Sequence, residues 1–422
     1  MKGEFEIISF GSCNINSPID SVCFVEEGSG VLIDATVSKD NKKCDNRPVL
    51  EMAGPREKIY FDPAKTKAAI VTCGGLCPGL NDVIRGLTLV LWYEYGVRSI
   101  LGIRYGYRGL TFSSEDHPME LNPQTVDDIN NDGGTILGSS RGAQSSEEIV
   151  DYLEKNHINI LFTIGGDGTQ RGALDIANEV NKRGKDISIV GIPKTIDNDI
   201  AFTQRTFGFE TAIEMSRVPI VAAHHEAKGA KNGIGLVKLM GRESGFIGVN
   251  ATLSTSDVNL LLVPEVPFTM DKVLIYLEDR LKRKSHAVIV AAEGAGQDLV
   301  PVVGYNASGN KIFGDIGLYL KDEINNYFKC KDFPFSIKYI DPSYTIRSAP
   351  ANADDSVFCF RLAENAVHAA MTGKTGLVVG LWNNYFVHVP MQKSVDQRKK
   401  IDPKSLLWQS VLDNTGQPKI LS

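Results

Sequence analysis

Three segments of this chain gather the residue types that handle phosphate and divalent cations. The first, Gly74-Gly75-Leu76-Cys77-Pro78-Gly79-Leu80-Asn81, follows the apolar run KAAIVTC and precedes a helix-like pattern. Glycines at a strand-to-helix transition let backbone N–H groups close on an anion, and the helix adds its positive end. Leu80 and Asn81 stand where a P-loop carries Lys and Ser or Thr, and G-x-G-x-x-G is absent, so a plain tight turn remains an equal reading. In the second, Gly165-Gly166-Asp167-Gly168-Thr169, a carboxylate is flanked by residues without side chains. Such a carboxylate can hold Mg²⁺ while bare backbone passes phosphate oxygens, or it can simply cap the following helix. The third, Pro193-Lys194-Thr195-Ile196-Asp197-Asn198-Asp199, sets two carboxylates at i and i+2 behind a cation. Extended backbone would point both to one side, where they need a metal or a base, although Asp-Asn-Asp also reads as a solvated turn.

Each of these turns ends an apolar run of strand length: KAAIVTC, INILFTI and ISIVGIP. Helical spacing follows the first two, through Leu80, Val83, Ile84, Leu87 and Val90, and through Ala173, Ile176, Ala177 and Val180. Strands alternating with helices predict right-handed βαβ units and a mainly parallel sheet, with ligands at the carboxyl ends of the strands. NGIGLVKLM, NLLLVPE, HAVIVAAEGAG and SIKYIDPSYTIRS suit a second α/β lobe. The first 64 residues hold short apolar runs, SVCFV and GVLID, around the polar stretch SKDNKKCDNRP, and read as a small β-rich extension.

A length of 422 residues implies more than one lobe, and a net charge of −6 argues against broad nucleic-acid binding. No apolar stretch is long enough to span a membrane, Glu4 and Glu6 interrupt any signal-like start, and seven cysteines form no paired pattern. A soluble cytoplasmic protein with reduced thiols is expected. Forty glycines exceed ordinary usage without a G-X-Y period, so the excess must serve particular turns.

Taken together, GGLCPGLN, GGDGTQRGA, PKTIDNDIAFTQRTFGFETA, KLMGRESG, Pro264-Glu265, AAEGAG and PSYTIRS occur in the order found in 6-phosphofructokinases, and the chain resembles that family from about Lys67 to at least Arg347. The variants look most like the long-chain branch of plant and trypanosomatid ATP-dependent enzymes and pyrophosphate-dependent enzymes. The resemblance implies two Rossmann-like three-layer lobes with mainly parallel sheets. The nucleotide lobe would take residues 65–212 and about 345–390, and the sugar-phosphate lobe 213–344 and about 391–422. It implies transfer of the γ-phosphoryl of ATP to the C1 hydroxyl of fructose 6-phosphate with Mg²⁺ as cofactor, in a homodimer or homotetramer.

By the family pattern Asp197 is the base, assisted by Thr195, Lys194 and Arg242. Gly75, Arg141 and Gly166 fall on the ATP side, as do Gly168, Thr169 and Gly172. Asp167 would hold the metal, with Asp199 as the second candidate. The sugar phosphate would meet Tyr344, Arg347 and Lys338, and its hydroxyls Glu265, with Met240 and Gly241 lining the site. Lys338 also reads as a solvated charge and Met240 as core. Short bacterial enzymes differ at Leu76, Lys194, Tyr344, Gly233 and Arg104, and the change at Gly233 makes cross-subunit contacts by Lys338 uncertain.

Pyrophosphate-dependent relatives carry an aspartate at the place of Gly168 and a lysine at the place of Lys194. The chain has the ATP-type glycine with the pyrophosphate-type lysine. A carboxylate at 168 would crowd and repel the α-phosphate, whereas an extra cation serves either donor, so ATP is expected and pyrophosphate is the alternative. GGDGT also occurs in lipid and NAD kinases, but PSYTIRS and PKTIDND favour the phosphofructokinase reading. A non-catalytic regulatory subunit is the alternative of another class. Retention of Asp167, Asp197, Asp199, Arg141, Arg242 and Arg347 argues against it.

Overall fold

The apolar runs that end in glycine or proline are strands: Lys67–Thr72, Ile160–Gly165 and Ser188–Pro193, buried along nearly their whole length. Continuous Val and Ile suit strands covered by helices on both faces. Each such side chain removed from water contributes ~1.5–3 kcal/mol. The computed structural model describes residues 4–20, 23–37, 47–301, 304–305 and 311–421. Ser21 and Val22 of SVCFV, and positions 38–46 of the polar stretch, lie outside them. One compact unit comprises Met1–Thr195, Ile200–Gly208 and Ser348–Arg398, and the other Ile196–Asp199, Phe209–Arg347 and Lys399–Ser422.

In the first unit, five parallel strands lie side by side in the order Leu377–Trp382, Ser188–Pro193, Ile160–Gly165, Lys67–Thr72, Ser99–Ile103. The chain leaves Lys67–Thr72 for one side of the sheet and then returns to its other side, so strand order reverses between Lys67–Thr72 and Ile160–Gly165. Ligands of open α/β sheets bind at such a reversal, beyond the carboxyl ends of the strands. The Gly74 and Gly165 loops leave from there. The helix Asp167–Lys182 turns its apolar side to the sheet, and Leu80–Leu89 packs on the helix Ala353–Met371.

The 1–64 segment is β-rich but forms no unit of its own. Gly30–Leu32 and Val49–Met52 extend the large sheet past Tyr385–Pro390, and Ile8–Ser9 pairs with Lys374–Thr375. Residues 391–398, expected in the sugar lobe, belong to the first unit, because the helix Met391–Asp396 packs on Asp167–Lys182. Residues 196–199, expected with the nucleotide lobe, fall in the second unit.

The second unit is built on four parallel strands in the order Leu260–Leu262, His286–Ala292, Gly233–Leu239, Ser336–Ile340. Gly233–Leu239 comes first in the chain yet lies inside the sheet, so the order reverses between it and Ser336–Ile340. The loop with Gly241 and Arg242 leaves one of these strands, and the short helix Ser343–Arg347 follows the other. Lys238 sets that helix: its Nζ lies 2.9 Å from both Asp315 and Asp341. Asp341 in turn accepts from the Ser343 N–H at 3.1 Å and from its hydroxyl at 2.5 Å.

Candidate active site

In the first unit the two glycine loops are braced against their neighbours. Gly74 takes φ +88° and Gly79 φ +96°, where an L side chain is strained. Gly74 N–H donates to Ser140 O at 3.0 Å and Ser139 Oγ donates to Gly74 O at 2.6 Å. This brings Gly75 beside exposed Arg141, whose Nη2 would lie 3.5 Å from a Cβ on Gly75. Lys194, almost fully buried, donates from Nζ to Gly75 O at 2.7 Å, and its N–H bonds Gly165 O at 3.0 Å. One residue thereby ties both glycine loops together. Thr195 is half-buried, with its carbonyl accepting from Thr206 Oγ1 at 2.6 Å.

Asp167 is the first residue of its helix and Gly166 its cap, so the expected alternative of an Asp cap is not what forms. The Asp167 carboxylate meets Arg398 at 3.1 Å and Arg171 at 3.3 Å. Nothing stands within 4 Å of a Cβ added at Gly168. Open space beside an accessible carboxylate at a helix start is a cradle that fits a cation bridged to phosphates. Thr169 is buried, its carbonyl accepting from Tyr107 Oη at 2.7 Å. A Cβ on Gly172 would come within 2.8 Å of the Tyr107 ring, so packing against that ring accounts for this glycine.

In the second unit the Asp197-Asn198-Asp199 segment is a turn. Asn198 has φ +55°, which overturns the expectation of extended backbone with two carboxylates on one side. Asp197 Oδ2 accepts from Arg242 N–H at 3.2 Å, and Ser244 Oγ donates to Asp197 O at 3.2 Å. Burial, then the charges of Asp199 and Glu293, push the Asp197 carboxyl up to about 7, against the pull of the Arg242 N–H and of Arg347. Arg347 lies 3.9 Å from Glu293. Aspartate, glutamate and arginine thus share one electrostatic neighbourhood.

Arg242 stacks on Phe313, 4.2 Å from its centroid. Gly241, at φ +126°, has no room for a side chain, since a Cβ would stand 2.7 Å from Ser244 O. Met240 is fully buried, so its side chain packs in the core, the alternative reading of this residue. Glu265 accepts from Gly245 N–H at 3.1 Å and Ile401 N–H at 2.9 Å, while burial raises its carboxyl above the usual range. Tyr344 is 83% exposed on the Ser343–Arg347 helix. Lys338 is exposed on the edge strand Ser336–Ile340.

Glu293, Arg398 and Lys399 are absent from the expected set. Glu293 sits inside AAEGAG and directly follows the strand His286–Ala292, a place where site residues gather in such sheets. Arg398 and Lys399 sit in QRKKID, which has the look of a solvated basic run. Lys399 Nζ instead lies 3.0 Å from Asn198 Oδ1, and burial pulls its ammonium down to about 8 against the attraction of Asp199. Cys73 and Cys77 are buried, and burial pushes the Cys73 thiol up to about 12, which suits packing.

Glycine loops beside a carboxylate in one α/β unit, and a half-buried aspartate near arginines in the other, fit the class of α/β phosphotransferases. The phosphofructokinase family model matches residues 67–370. An ATP-dependent 6-phosphofructokinase from Borreliella burgdorferi is 51% identical, over 98% of this chain and 97% of its own. One from Trypanosoma brucei brucei is 46% identical, over 90% and 78%. A pyrophosphate-dependent phosphofructokinase structure from Nitrosospira multiformis superposes with a TM-score of 0.70 at 17% identity, over 83% of this chain and 91% of that one. The chain belongs to the phosphofructokinase family. No described helix is long and apolar enough to cross a membrane.

Proposed function

We propose that the chain is an ATP-dependent 6-phosphofructokinase. It moves the γ-phosphoryl of ATP to the C1 hydroxyl of fructose 6-phosphate, giving fructose 1,6-bisphosphate and ADP. The observation that carries the choice of donor is the open space at Gly168 beside Asp167, which leaves room for an α-phosphate. Relatives named for ATP dependence at 46–51% identity support it.

Asp197 takes the proton of the C1 hydroxyl, whose oxygen then attacks the γ-phosphorus while the bridge to the β-phosphate breaks. A carboxyl raised to about 7 by burial and by Asp199 and Glu293 suits a base working near neutral pH. Arg242 holds the Asp197 carboxylate through its N–H and offers its guanidinium to the transferring group. Arg347, Tyr344 and Lys338 receive the 6-phosphate, while Glu265, fixed by two backbone N–H groups, accepts from sugar hydroxyls. On the donor side Gly75 and Arg141 meet phosphate oxygens, and Lys194 fixes the loop and adds positive charge. Asp167 would hold Mg²⁺, with Asp199 the second candidate, and the ion would neutralise charge on the phosphates.

Phosphoryl transfer depends on positioning and charge stabilisation, and these residues supply both. The enzyme is read as a cytoplasmic homodimer or homotetramer of glycolysis. Incubation with Mg-ATP and a panel of sugar phosphates, read by ³¹P NMR, tests the reaction. A C1-phosphorylated fructose 6-phosphate supports it, and an unchanged fructose 6-phosphate beside another phosphorylated acceptor rejects it.

A further inference from the structure

The backbone at Asn198 is left-handed, at φ +55°, a conformation that asparagine adopts more readily than most residues other than glycine. Lys399 grips this turn twice. Its N–H donates to Asp199 O at 2.8 Å, and its Nζ donates to Asn198 Oδ1 at 3.0 Å. The same ammonium sits 5.2 Å from the centroid of Phe246, which starts the helix that follows the Gly241–Gly245 loop. That loop holds Asp197 from the other side through Arg242 N–H and Ser244 Oγ. Two residues further on, Ile401 N–H fixes Glu265 at 2.9 Å.

We propose that Lys399 is a positioning residue for phosphoryl transfer: bound to Asn198 and Asp199, it sets the direction of the Asp197 carboxylate without touching the reacting atoms. The inference rests on the reading of Asp197 as the base. A side chain of another shape could fill the space. What the site needs from Lys399 is a donor that reaches Asn198 Oδ1 while its own backbone bonds Asp199. Displacing a base by about 1 Å can cost on the order of 10² in rate, because a proton must pass along one hydrogen bond.

The test uses the full chain with Lys399→Met, Lys399→Arg and Asn198→Gly, each alone and with Asp197→Asn, measured for kcat, both KM values and thermal midpoint. Lys399→Met is expected to lower kcat on the order of 30-fold or more with both KM values within about threefold, and Lys399→Arg to recover at least part of that loss. With Asp197→Asn already present, Lys399→Met should cost less than about twofold more, since the group it positions is gone. Asn198→Gly keeps the turn permissible and removes the acceptor, so it should fold and lose kcat in the same sense. If Lys399→Met does not fold, Asn198→Gly and Lys399→Arg decide. Wild-type kcat in Lys399→Met or Asn198→Gly, or a full loss added on top of Asp197→Asn, overturns the proposal. A wild-type chain that does not phosphorylate fructose 6-phosphate overturns the functional reading instead.

Discussion

The guanidinium of Arg398 lies 3.1 Å from the carboxylate of Asp167, although 231 residues separate them. With Arg171 on the same carboxylate at 3.3 Å, the aspartate is turned and partly neutralised before any ligand arrives. Both pairs are partly solvated, so they contribute orientation more than stability. Arg398→Gln is therefore expected to raise KM for Mg-ATP about three- to tenfold, leaving KM for fructose 6-phosphate and the thermal midpoint nearly unchanged. Steady-state kinetics with each substrate varied in turn checks this, and a defect confined to the sugar phosphate would contradict it.

Gly168 faces empty space and has no positive φ, so Gly168→Asp should fold normally. The new carboxylate would then occupy the room on which ATP depends. We expect kcat/KM for ATP to fall on the order of 10²-fold or more, with fructose 6-phosphate affinity measured by calorimetry changed less than about threefold. Unaltered ATP kinetics would remove the steric and charge account of donor choice.

As the proposed base, Asp197 would couple function to stability with opposite signs. The base must be ionised, so kcat/KM for fructose 6-phosphate should fall about tenfold per unit as pH drops through about 7. Its folded value lies above the unfolded one, so the native state binds more protons between about pH 4 and pH 7 and stability is lost as pH rises through that window. Asp197→Asn should lower kcat on the order of 10²-fold yet raise the thermal midpoint at pH 8, with the gain fading by pH 4. A lowered midpoint at pH 8 would mean that the ionised carboxylate stabilises the fold.

Glu51 ties the N-terminal segment to the large sheet by accepting from Lys374 and from His388 at 2.8 Å, with Arg56 at 3.5 Å. Against the cost of burial, His388 first and then Lys374 hold its carboxyl at about 2. The folded value lies below the unfolded one, so this stability is complete above about pH 4.5 and lost as pH falls toward 2. Glu51→Gln should lower unfolding free energy at pH 7 by at most roughly 3–5 kcal/mol, the range for breaking a buried pair, less what the partial exposure of Glu51 screens. Urea titrations at pH 7 and pH 3 measure it, and an equal loss at both would point to packing.

The sequence carries the strands and glycine loops plainly, because parallel strands need unbroken β-branched runs and anion loops need bare backbone. Gly74, Gly79 and Gly241 announce themselves by the positive φ they require. Asp-Asn-Asp hints at the turn at Asn198 but not at Lys399, two hundred and one positions away, as the donor to Asn198 Oδ1. The sequence leaves Met240 open between core and sugar site, because only burial decides where its side chain lies. Arg398 and Lys399 were hidden for the opposite reason: a basic run looks like surface until long-range packing shows what each cation holds. The crossings near 208 and 347 lie within four residues of the expected edges, whereas those at Thr195–Ile196 and Arg398–Lys399 come with no break in composition to mark them.

Donor preference is the most direct measurement of the central claim. Initial rates of fructose 6-phosphate phosphorylation with Mg-ATP and with Mg-pyrophosphate, under the same conditions, give the ratio of the two kcat/KM values. The account predicts that ATP is favoured by at least about 10²-fold, the range set by a charge-and-space block. Preference for pyrophosphate, despite the open space at Gly168, would contradict it.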